Sequence, residues 1–238
     1  MKIVISSNIN YTKPLNILLN QLKNTHYKNS IIVVVTDCPG PDIIKKEDMI
    51  TYIKTSENNY EYTSYNMIKK YLFSHPDILE NTYLFMHDTC VIGPNFGTFF
   101  EQNPLNNNEL ITYPARCSNI MYIHVSVFHN FNHMYSELSK KDACDLENNI
   151  EIRGMKNVTC YAVVRLLDER LTVGLYDVYN TGYERYIRHY PEFDIYKATL
   201  HNKYGDFTNC IKNIYKKSKR KRHIIGLSSE IIQLFQET

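Results

Sequence analysis

The chain has 238 residues, 43 % of them hydrophobic and 22 % charged, and a formal net charge of +2. That length suits one globular domain with a sizeable core. The near-neutral balance gives no global field to attract nucleic acid, so no nucleic-acid partner is expected.

No apolar stretch reaches the roughly 18 residues that a membrane-spanning helix needs. Met1-Lys2 leads into only the short run Ile3 to Ile5, so no signal peptide is expected either. The cysteines at 38, 90, 117, 144, 160 and 210 form no C-x-x-C pair, which argues against a zinc knuckle or a dithiol motif. A reducing, cytoplasmic setting with free thiols follows as the expectation. In that setting the sequons at Asn10-Tyr11-Thr12 and Asn157-Val158-Thr159 are chance matches. Heavy use of Asn, Ile and Lys follows AT-rich codons. The one dense charge run, Lys216 to Arg222, reads as a solvated connector or as a patch for peripheral contact with an anionic membrane surface.

The predicted elements begin with a buried strand over Lys2 to Ser7, apolar and then polar. Pro14 opens a helix whose Leu15, Leu18, Leu19 and Leu22 share one face. Ile31 to Val35 is a β-branched run suited to a sheet buried on both faces. Met49 to Lys54 is a weaker third strand, and Tyr60 to Phe73 an amphipathic helix. Tyr83 to Met86 is a fourth strand, running into His87-Asp88-Thr89 and then into a V-I-G-P-N-F turn that leads to a helix. Such β-α-β-β-α-β order predicts an α/β fold with a mostly parallel central sheet. Further on, Leu110 to Tyr113 and Asn119 to His124 suit strands. His129 to Leu138, Asp142 to Ile152 and Leu227 to Phe235 suit helices. Tyr176 to His201 shows few strong apolar runs.

Ligands of open parallel sheets bind beyond the carboxyl ends of the strands. Three polar clusters fall at such ends: Ser6, Ser7 and Asn8; Thr36 and Asp37; His87, Asp88 and Thr89. No G-x-G-x-x-G follows a strand, and no G-x-x-x-x-G-K-[ST] exists, so dinucleotide and P-loop modes are excluded. A diphosphate would then need another counter-charge, such as Mn2+ or Mg2+ held by a carboxylate, for which Asp88 is the candidate.

The segment Y-L-F-M-H-D-T-C-V-I-G-P-N-F, Tyr83 to Phe96, resembles the aspartate-motif region of GT-A glycosyltransferases. K-I-V-I-S-S-N and I-I-V-V-V-T-D resemble that family's first two strands. The likeness covers residues 1 to about 100 well and the rest loosely; in length and codon bias the chain is similar to small viral members. It implies a GT-A-like, Rossmann-like α/β/α sandwich in a single domain over residues 1–238, with a donor half (1–105) and an acceptor half (106–238). It implies transfer from a nucleoside-diphosphate sugar, a UDP-sugar first, to a hydroxyl on a glycan, protein or lipid-linked acceptor. Ser6, Ser7, Asn8 and Asp37 would then hold the nucleoside, and Asp88 the metal. The family's D-x-D is incomplete, since His87-Asp88-Thr89 offers one carboxylate. His87 would ligate Mn2+ or hydrogen-bond a phosphate or the sugar.

Other expected contacts are Tyr62 and Asn66, four apart on one helical face near the donor; Arg185, Arg188 and His189, for phosphate; His201, completing the metal site; and Lys203, meeting the leaving diphosphate. Candidate general bases are Asp177, Glu184, Asp194 and Glu151, with Asp177, in an apolar and aromatic stretch, favoured. Two rival readings stand beside this one. A catalytically inactive sugar-nucleotide-binding module fits the incomplete motif. A sugar nucleotidyltransferase is disfavoured, because Ser6 to Tyr11 contains neither Gly nor a basic residue.

Overall fold

The computed structural model describes residues 1–113, 120–130, 136–139, 141–143, 157–160, 164–166, 184–200, 224–225 and 229–235. In chain order the described elements are β1 (Lys2–Asn8), α1 (Thr12–Lys23), β2 (Ile31–Thr36), β3 (Ile43–Glu47), β4 (Ile50–Lys54), α2 (Tyr62–Tyr71), β5 (Thr82–His87), β6 (Cys90–Ile92), α3 (Thr98–Gln102), β7 (Glu109–Tyr113), β8 (Ile120–His124), α4 (Val127–Asn130), β9 (Asn157–Cys160), β10 (Val164–Leu166), β11 (Glu184–Tyr190), β12 (Ile195–Leu200), β13 (Ile224–Ile225) and a last helix, Ser229–Leu234. They gather into two compact units. One comprises Met1–Thr12, Leu22–Asp88 and Pro104–Ala162; the other comprises Lys13–Gln21, Thr89–Asn103 and Val163–Thr238.

The first unit is built on an eight-stranded mixed sheet in the order β3-β4-β2-β1-β5-β8-β7-β9. Its centre, β4-β2-β1-β5, is wholly parallel, and antiparallel strands flank it. This is the α/β fold with a parallel core that the alternating pattern predicts. The β-branched runs explain the arrangement: Ile3, Val4 and Ile5 of β1 and Ile31 to Val34 of β2 are all buried, as strands covered on both faces must be. Tyr62, Tyr65, Met67 and Ile68 of α2 pack with Val4, Ile32, Val34, Tyr83, Phe85 and Phe128 in one apolar cluster. Burying side chains of that size supplies roughly 1.5–3 kcal/mol each before entropy is counted.

The second unit carries a five-stranded sheet, β13-β10-β11-β12-β6. The long pair β11 and β12 is antiparallel, with Ile187 opposite Ala198 and Tyr190 opposite Ile195. Gln21 of α1 joins this unit through both ends of its amide. Its Nε2 donates to the Leu234 carbonyl (2.6 Å), and its Oε1 accepts from the Ile92 N–H (3.0 Å).

Several expectations need correction. The strand β3 has no counterpart in the reading, because its Ile-Ile-Lys-Lys-Glu pattern is almost wholly solvent-facing. A charged edge strand of this kind resists edge-to-edge pairing and leaves little apolar signal. Between Asp88 and the G-P-N-F turn the chain forms the strand β6, paired to β12, before the helix begins at Thr98. Of the helix expected over His129 to Leu138, His129 and Asn130 lie in α4, which begins at Val127; residues 136–138 are not helical, and 131–135 lie outside the described residues. Within Tyr176 to His201 the residues 184–200 form a hairpin, which amphipathic alternation of Tyr, Arg and His had masked.

Candidate functional site

The parallel pairing of β1 with β2 and with β5 brings three polar chain segments to one sheet edge. Asn8 is opposite Thr36, and Ser6 is opposite His87. Strand periodicity then decides which side chains face inward and which reach the edge.

Asp88 follows β5 directly and is tied to β1 twice. Its N–H donates to the Ser6 carbonyl (3.0 Å), and its Oδ2 accepts from the Ser7 hydroxyl (2.9 Å). Asp88 is 7 % exposed and Ser7 6 %, so this is a charge-assisted bond made largely out of water. Ser6 Oγ lies 2.6 Å from Ser64 Oγ, which fixes the first turn of α2 to the same strand end.

Asp37 sits on the other side of β1. It adopts the left-handed region at φ 60°, which Asp tolerates better than most residues. Its Oδ2 accepts from the side-chain amides of Asn8 and, at 2.7 Å, Asn58. The Asn8 amide also donates to Thr36 Oγ1 (3.1 Å), while its carbonyl accepts from the Asn10 N–H (3.0 Å) and Asn10 side-chain amide (3.1 Å). Asn58 Oδ1 accepts from the Tyr60 N–H (3.1 Å), and Tyr60 is itself at φ 57°. Asp37 is therefore the hub of an exposed polar network, and Asp88 is a buried, oriented carboxylate.

Ser6, Ser7, Asn8, Asp37, His87 and Asp88 thus lie along one strand edge. Tyr62 and Asn66 are in the adjacent helix but are 1 % and 2 % exposed, and Tyr62 belongs to the apolar cluster. Arg185 falls on the strand β11 of the other unit. Asp177, His201, Lys203 and the run Lys216 to Arg222 lie outside the described residues. Sequence reading missed Ser64 and Asn58. The signal for Ser64 came only with the structure, which shows Thr63, Ser64 and Asn66 as polar residues within a stretch, Tyr62 to Ile68, that is buried throughout.

A metal on this edge would rest chiefly on Asp88. Among the described residues no group of three His, Cys, Asp or Glu side chains gathers as a ready-made metal cage. One oriented carboxylate fits Mg2+ or Mn2+ only when phosphate and water oxygens complete the shell.

No family model matches the chain, and no curated protein matches it. Among solved structures, a cytidylyltransferase from Leptospira borgpetersenii is 14 % identical with a TM-score of 0.43, covering 92 % of this chain and 94 % of its own. The apo form of the glycosyltransferase GlyE of Streptococcus pneumoniae is 11 % identical with a TM-score of 0.40, covering 91 % of this chain and 63 % of its own. A second GlyE structure is 12 % identical, again with a TM-score of 0.40, over 91 % and 64 %. Among the described residues no helix is long and apolar enough to cross a membrane.

Proposed function

We propose that the chain is a nucleotide-sugar-dependent glycosyltransferase of the GT-A type, moving a sugar from a nucleoside-diphosphate sugar, a UDP-sugar first, to a hydroxyl acceptor. The observation that carries this reading is the buried Asp88 carboxylate, held by Ser7 at the carboxyl edge of a parallel sheet where β1, β2 and β5 end together. Asp37, Asn8 and Asn58 present amide and carboxylate groups of the kind that hydrogen-bond a ribose or base.

In this reading the residues of the strand edge bind and orient. Ser6 and Ser7 fix the end of β1, Asp37 and Asn8 receive the nucleoside, and His87 and Asp88 face the diphosphate. If Mn2+ or Mg2+ is bound, Asp88 would hold it, and the ion would neutralise charge on the leaving diphosphate. In the same reading residues 1–105 would supply most donor contacts and 106–238 most acceptor contacts, although the two compact units interleave along the chain. Asp177 would be the base that deprotonates the acceptor hydroxyl, with Arg185, His201 and Lys203 meeting the phosphates or the metal. The reaction would run in the cytoplasm.

A second reading, a sugar-nucleotide-binding module without turnover, is favoured by one fact: the His87-Asp88-Thr89 segment offers one carboxylate where a D-x-D motif has two. A thermal-shift panel of UDP-, GDP-, CMP- and dTDP-sugars, with and without Mn2+, tests both on wild type and Asp88→Ala. Stabilisation of wild type by one nucleotide class, reduced in Asp88→Ala, supports the donor site, because a bound ligand raises stability by mass action. Released nucleoside diphosphate then separates the enzyme from the module. No shift with any nucleotide would sink both readings.

A further inference from the structure

The second unit contains a cleft of about 440 Å³, lined by Asn95, Thr98, Phe99, Gln102, His189 and Glu192, with Pro191, Asp194 and Tyr196 completing it. That volume lies in the range of small-ligand sites. Every lining residue belongs to the second unit, whereas Asp88, Asp37 and Asn8 belong to the first.

Its floor is built with unusual care. Asp194 ends a short 3-10 turn in the left-handed region, at φ 49°. Its Oδ2 accepts from the Asn95 N–H at 2.8 Å, and its backbone carbonyl accepts from the Gly93 N–H at 2.8 Å. Gly93 lies tight against it: a Cβ there would come within 2.2 Å of Asp194 Oδ2, so the carboxylate would have to shift. The His189 imidazole is stacked flat on Tyr196, with centroids 4.2 Å apart and planes 3° from parallel. Its Nε2 lies 3.7 Å from Asp194 Oδ1. Burial alone would raise the Asp194 carboxyl, but contacts from His189, the Asn95 N–H and Tyr196 outweigh it and hold the group below its ordinary value. A strained, over-determined residue in a cleft is a reason to look for a ligand.

The lining says which ligand. Its lining holds two carboxylates, Glu192 and Asp194, and no lysine or arginine among the described residues, a balance that favours a neutral ligand over an anionic one. Asn95, Gln102, Thr98 and Glu192 supply donors and acceptors side by side, as hydroxyl pairs require. Phe99 is half-buried and braced by Phe193, 5.2 Å between centroids, and by Phe100 at 5.9 Å. It offers a fixed aromatic face of the kind that packs on the C–H face of a sugar ring.

We propose that this cleft binds one ring of a neutral carbohydrate, as a glycan-holding site separate from the strand edge that carries Asp88. Ligand-observed saturation-transfer NMR on the full chain, with glucose, galactose and N-acetylglucosamine as probes, tests it. Wild type is expected to give saturation transfer to at least one sugar at millimolar affinity. Phe99→Ala and Gln102→Ala are each expected to weaken it about tenfold, and Asp88→Ala to leave it unchanged. Gln102 is solvent-exposed, so its variant tests the site without touching the core. Absence of transfer from all three sugars overturns the proposal. So does wild-type affinity in Phe99→Ala and Gln102→Ala, loss of binding in Asp88→Ala (which would place the sugar at the strand edge), or competition by inorganic phosphate.

Discussion

The hydroxyl of Ser7 donates to Asp88 Oδ2 at 2.9 Å, joining the carboxyl ends of β1 and β5 through side chains that are both buried. The two residues are 81 positions apart in sequence. Their bond both closes the parallel sheet at this edge and fixes the direction of the carboxylate.

Ser7→Ala removes that donor and leaves a buried carboxylate oxygen short of a partner. The expected cost is about 2 kcal/mol of folding stability, measured by urea denaturation. Nucleotide affinity is expected to fall with it, since Asp88 loses its orientation. A variant as stable as wild type would show that water replaces the hydroxyl at no cost.

Tyr62→Ala tests whether Tyr62 serves the core or the donor. Its side chain is 1 % exposed and packs among Tyr65, Val4 and Phe85. An aromatic-to-alanine change in such a place costs about 3–5 kcal/mol, whereas a surface change stays within about 0.5 kcal/mol. A small loss of stability with a large loss of nucleotide affinity would return Tyr62 to the binding site.

Gly93→Ala would drive a methyl group into the Asp194 carboxylate. Overpacking of this sort is expected to cost about 1–3 kcal/mol. Adding Asp194→Gly removes the obstructing side chain and relaxes the left-handed backbone at once. The double variant is therefore expected to recover part of the loss relative to the sum of the single variants. Strict additivity in a double-mutant cycle would show that the two residues do not collide.

A pH dependence follows from Asp42, which accepts from Lys70 Nζ and from the Tyr71 hydroxyl, each at 2.7 Å. Burial would raise its carboxyl, but the bonds from Lys70, Thr55 and Tyr71 outweigh burial and hold it below the ordinary 3.8. A carboxyl depressed in the folded state stabilises fully above its unfolded value, and that stability is lost as pH falls through the folded value. The partly exposed pair limits the effect to about 0.5–1 kcal/mol. Wild type is expected to exceed Asp42→Asn by that amount near neutral pH and to lose the advantage as pH falls below the ordinary carboxyl value of 3.8 and through the lowered folded one. A difference that stays constant with pH would mean that the ionised form is not what stabilises the contact.

Sequence alone determined the parallel centre of the first sheet. Runs such as Ile31 to Val35 and Tyr83 to Met86 have only one favourable fate, burial on both faces, and local apolar content reveals it. The strand ends were legible for the same reason, because polarity changes abruptly at Ser6, Thr36 and His87. Tertiary structure decided what no local pattern encodes. Ser7 meets Asp88, and Asn58 meets Asp37, only because strands far apart in sequence become neighbours in register. It also decided that Tyr62 packs inside the apolar cluster, since a helix face that looks amphipathic acquires its meaning from what it packs against. The edge strand β3 and the hairpin of β11 and β12 went unread because their apolar content is sparse and their stability comes from pairing. The juxtaposition of Gly93 with Asp194 could be seen only once β6 and β12 lay side by side, for the reason that a missing Cβ has consequences only where another chain segment fills its place.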